Sequence, residues 1–70
     1  MPALVRGSFE DLMVGWRKVA SRLGLTIYVF KIPSTSYGHG EVSWMACTNL
    51  QQGVGELVAT IGPTGLTVVP

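Results

Sequence analysis

Residues 49–61 run Asn-Leu-Gln-Gln-Gly-Val-Gly-Glu-Leu-Val-Ala-Thr-Ile, and the reading of this stretch decides the architecture. Leu50, Val54, Leu57 and Ile61 recur at helical intervals. Asn49, with Gln52 three residues on, forms a capping pair in front, and Gly62-Pro63 stops a helix behind. Gly53 and Gly55 pull the other way, because each glycine weakens a helix interior by about 1 kcal/mol relative to alanine. Spacing and caps together predict a second helix over 49–61.

Upstream lie two strands. Leu25 to Ile32 (LTIYVFKI) is rich in β-branched and aromatic residues and ends at Pro33. Leu25, Ile27, Val29 and Lys31 share one side, and Thr26, Tyr28, Phe30 and Ile32 the other. Both sides are mostly apolar, so each is expected to meet something. Glu41 to Thr48 reads as a second strand, with Val42, Trp44 and Ala46 on one face and Ser43, Met45 and Cys47 on the other. The loop between them, residues 33–40, is too short for a helical crossover, so the strands should pair antiparallel.

The first element is a helix over 8–23. Ser8 caps it, and Phe9, Leu12, Met13, Trp16, Val19, Ala20 and Leu23 form its apolar stripe. Glu10 and Asp11 lie in its first turn and Arg22 near its end, as the helix dipole prefers. Gly24 supplies the stop. The tail, residues 62–70, is strand-like over Thr64–Pro70. The expected fold is thus a single α+β domain over 1–70, of order α-β-β-α: an antiparallel hairpin packed by two helices, with a short terminal strand.

Seventy residues, 13% of them charged, with a net charge of +1 and a mean hydropathy of +0.39, describe a small globular domain and not a disordered tail. Domains of this size commonly need a staple. One cysteine, Cys47, cannot close an internal disulfide, and one cysteine with one histidine cannot build a structural zinc site. Association with another chain is the remaining staple. From Ile32 to Pro70 the only formal charges are Glu41 and Glu56, and there is no Lys or Arg. Such a surface fits burial against a partner, so self-association through the hairpin or the tail is expected. The near-neutral charge argues against nucleic acid. The residues after Glu56 are too short and too broken by Gly62, Pro63 and Gly65 to span a membrane as a helix. With no targeting signal and one unpaired cysteine, the expected compartment is the cytoplasm.

No sequence pattern marks catalysis or a cofactor; there is no Walker loop, HExxH or dinucleotide fingerprint. Cys47 and His39 are a nucleophile and a base by type, but a straight strand would hold them about 26 Å apart. Cys47 is better read as a small buried apolar residue, and Glu41 and Glu56 as solvated charges. Arg17, Lys18 and Arg22, with Arg6 nearby, read as a solvated basic helix face. Two binding surfaces are candidates. Tyr28, Phe30 and Trp44 are aromatic anchors for a protein partner. The loop residues Ser34, Ser36, Tyr37, Gly38, His39 and Gly40, with Lys31 at their edge, offer N–H groups, hydroxyls and a ring to an anionic nucleotide.

One resemblance covers about half the chain. Gly40-Glu41-Val42-Ser43-Trp44, then Cys47-Thr48-Asn49 leading into the helix expected to end at Ile61, resembles small prophage-encoded proteins built as strand, Gly-containing loop, strand and helix. The resemblance implies a phage or mobile-element accessory protein that binds and blocks a host component, in the host cytoplasm and without enzymatic activity. This chain departs from that class in lacking acidic and basic residues just after the Asn step.

Overall fold

A computed structural model of the chain describes residues 3–6, 9–32 and 43–70. The element order is β1 (Ala3–Arg6), α1 (Phe9–Leu23), β2 (Ile27–Ile32), β3 (Ser43–Cys47), a single 3-10 turn (Leu50–Gln52), β4 (Glu56–Gly62) and β5 (Gly65–Val68). The strands form one five-stranded antiparallel sheet in the order β1-β3-β2-β4-β5. β1 and β2 are each antiparallel to β3, which lies between them, so they run parallel to one another. The chain therefore leaves β1, crosses over through α1 and returns as β2, as a parallel connection requires.

The α-β-β-α order is overturned. Residues 49–61 hold the 3-10 turn and most of β4, and α1 is the one α-helix among the described residues. Asn49 does act as a cap: its Oδ1 accepts the Gln51 N–H at 2.9 Å. What it caps ends at once, because Gly53 and Gly55 have backbone tasks that a helix forbids. Gly53 stands in extended conformation (φ −72°, ψ 144°), and a Cβ there would overlap the Phe30 ring. Gly55 has φ +97°, and a Cβ there would overlap the Lys31 carbonyl. Beyond the glycines, Leu-Val-Ala-Thr-Ile satisfies strand preference better than helix preference. The resemblance to prophage-encoded proteins included a helix over this same stretch, so that part of the pattern is absent from the structure.

The remaining elements lie close to their expected positions, with shorter bounds. The helix runs Phe9–Leu23 and ends at Gly24, whose φ is +67°. The Ala20 carbonyl accepts from both the Gly24 and Leu25 N–H groups, at 2.9 and 3.2 Å, which closes the last turn. The strands expected over 25–32 and 41–48 are Ile27–Ile32 and Ser43–Cys47, paired antiparallel with Val29 opposite Ala46. The strand-like tail is β5, hairpinned to β4 with Ile61 opposite Leu66. β1, at the sheet edge beside β3, was not anticipated.

The core lies between α1 and one sheet face. Met13 and Ala20 of α1 pack with Ile27, Val29, Trp44, Ala46, Ala59 and Ile61, and Phe9, Leu12, Trp16, Val19 and Val58 complete the cluster. Ala20 and Ala59 are both fully buried. Of the strands, β4 is the one α1 approaches most. The register slips between Val29 and Phe30: Val29 faces Ala59, whereas Phe30 faces Leu57. Val58 is thus an extra residue, a β-bulge. The bulge lets Val58 join the core beside Ala59 and leaves Leu57 on the other face with Phe30.

Candidate functional site

A groove opens where the last turns of α1 leave the sheet. Trp16, Val19 and Leu23 project from one side of the helix at spacings of three and four residues. Past Gly24, whose φ is positive, Leu25 also lines the groove, together with Ile27 of β2, Ala46 and Cys47 of β3, and Thr48. Its volume is about 460 Å³, within the range of small-ligand clefts. Leu23 is 55% exposed and Leu25 42% exposed, so the mouth is apolar and open. The lining carries no charged side chain.

The sequence-derived aromatic candidates are not brought together. Trp44 lies opposite Lys31 and Val5, on the helix-covered side of the sheet, and its ring meets Phe9 at 5.0 Å between centroids. It is buried, and its indole Nε1 has no hydrogen-bond partner among the described residues. Tyr28 and Phe30 occupy the other face. Tyr28, half-buried, stands between Cys47 and Thr60, and Phe30 is buried under Gly53. Trp44 is thus a core residue, separated from Tyr28 and Phe30 by the thickness of the sheet. The alternation along β3 was legible; which face the helix covers was not.

Of the ligand-loop candidates, Lys31 is exposed on β2 opposite Glu56. Ser34, Ser36, Tyr37, Gly38, His39 and Gly40 lie outside the described residues, as does Glu41. Cys47 is buried, and its thiol donates to the Asn49 carbonyl at 3.2 Å. That bond anchors the turn after β3 and gives the thiol a structural task. No cluster of three or more His, Cys, Asp and Glu able to hold a metal occurs among the described residues. Among them, too, no helix is long and apolar enough to cross a membrane.

Sequence reasoning missed the groove. Trp16, on the apolar stripe of α1, packs against the core as that stripe implies, but it is half-buried and also lines the groove. The sequence carries the two leucines flanking Gly24, but nothing in it marks them as exposed, since an apolar residue after a helix-stopping glycine commonly packs back on the last turn. Comparison with family models, with curated proteins and with solved structures returned no match.

Proposed function

We propose that this chain is a non-enzymatic binding protein that takes an apolar segment of another protein into the groove at the end of α1. The supporting observation is that Leu23 and Leu25 are both exposed and both line an uncharged, mainly apolar cleft. Fully solvated, such a pair leaves apolar area unburied; inserted partner side chains would remove it from water at about 25 cal/mol per Å². An aromatic side chain, Trp16, beside apolar lining residues is a feature of an interface anchor pocket. A blocking accessory protein, the setting implied by the prophage resemblance, would work through such a contact. The nucleotide-binding alternative belongs to the 34–40 loop, which lies outside the described residues; the groove itself has no cation in its lining for a phosphate.

The test is capture from a lysate of the source cell by three tagged proteins: wild type, Leu25→Asp and Val14→Asp. Val14 is 57% exposed on α1 and does not line the groove. Both positions are on the surface, where substitutions usually change stability by less than about 0.5 kcal/mol. A protein held by wild type and Val14→Asp but released by Leu25→Asp supports the reading. Retention by all three, or by none, refutes it.

A further inference from the structure

We infer that β5 is a self-pairing edge, and that two copies of this chain join their sheets through it about a two-fold axis at Thr67. The argument starts from the backbone. The Val69 N–H donates to the Val58 carbonyl at 2.9 Å, in line with the register that sets Thr67 opposite Thr60. Backbone polar groups alternate in direction along a strand. Thr67 and Val69 therefore turn theirs toward β4, and Leu66 and Val68 turn theirs outward, past the end of the sheet order.

Those outward groups are self-complementary. With two β5 strands antiparallel and Thr67 on the axis, Leu66 lies opposite the partner's Val68, and Val68 opposite the partner's Leu66. Each is a pair of the hydrogen-bonded kind, which exchanges both N–H···O bonds. Such an isologous contact closes on itself and gives a dimer, not a fibre. The side chains agree with the backbone. Leu66 and Val68 lie opposite Ile61 and Ala59, on the helix-covered side of the sheet, yet are 37% and 60% exposed. Pairing sets each against its counterpart across the axis, and Thr67 against the partner's Thr67, a favourable cross-strand pair.

The edge is guarded only by its shortness and by Pro70 just past it; the other usual defences are missing. Natural edge strands are blunted by lysine, proline, bulges or inward charges. From Gly65 to Val69 the sequence is Gly-Leu-Thr-Val-Val, and no charged residue follows Glu56. No like charges therefore meet at the axis. The strand is only four residues long, so the contact is small and the dimer should form at high micromolar concentration.

Sedimentation equilibrium from about 10 µM to 1 mM, with amide exchange at both ends of that range, tests this. We expect the mass to rise from 7.5 kDa toward twice that value. The Leu66 and Val68 amides should slow about tenfold or more on dimerisation, while Thr67, already bonded within the chain, changes little. Val68→Lys should stay monomeric and Val14→Lys should dimerise like wild type. A wild type monomeric throughout overturns the inference. So does a dimer in which the Leu66 and Val68 amides exchange as fast as in the monomer. The exchange result stands on the wild type alone, whatever the folding of Val68→Lys. Neither readout involves the groove, so this inference and the proposed function can fail separately.

Discussion

Gly53 and Gly55 carry more of the structure than their size implies. The Phe30 ring lies where a Gly53 side chain would begin, and the Lys31 carbonyl where a Gly55 side chain would. Gly53→Ala should lower stability by about 1–3 kcal/mol through overpacking. Gly55→Ala should cost at least as much, because the positive φ adds strain to the overlap. Gly15 is the counter-example: it is exposed in the middle of α1 with nothing within 4 Å of its would-be Cβ. Gly15→Ala should therefore raise stability by about 0.5–1 kcal/mol. Urea midpoints of the three variants check these signs. Ser43 offers a fourth case. Its hydroxyl is fully buried without a hydrogen-bond partner among the described residues, so Ser43→Ala should be neutral or stabilising by up to about 1 kcal/mol in the same measurement.

At the level of elements, α1 was legible because its stripe and its stop at Gly24 agree; the expected cap, Ser8, lies outside the described residues. β2 was legible because Ile27 to Ile32 favours a strand and Pro33 bars continuation. Residues 49–61 misled because Leu50, Val54, Leu57 and Ile61 satisfy a helical period by coincidence. Leu57, Ala59 and Ile61 also alternate, and the bulge at Val58 then breaks that alternation by sending Leu57 to the far face. A local bulge of this kind depends on the partner strand and has no marker in the stretch itself. The two readings bury different residues. A helix would turn Leu57 inward and leave Ala59 outside; the strand buries Ala59 completely beneath α1. Ala59→Leu should therefore destabilise by about 1–3 kcal/mol, measured by denaturant unfolding, where a helical 49–61 would accept it without loss.

Across the whole molecule, the unread features are those created by distant pairing. β1 spans four residues and becomes a strand because β3 offers it an edge, with Ala3 meeting Ala46 from the far end of the sequence. The groove likewise needs α1, β2 and β3 in place before it exists. Of the proposed site, the sequence displayed the apolar side chains but not their grouping. Trp44 has the same composition signal as Trp16 and the opposite situation: one indole sits in the core against Phe9, the other walls the open cleft. This contrast supplies an internal control. The most direct measurement follows the two indole N–H resonances during titration of the full chain with 1-hexanol, a stand-in for an apolar partner side chain. The groove reading predicts a saturable shift of the Trp16 resonance while that of Trp44 stays in place. Movement of both alike, or of Trp44 alone, or no saturable shift at Trp16 would contradict it.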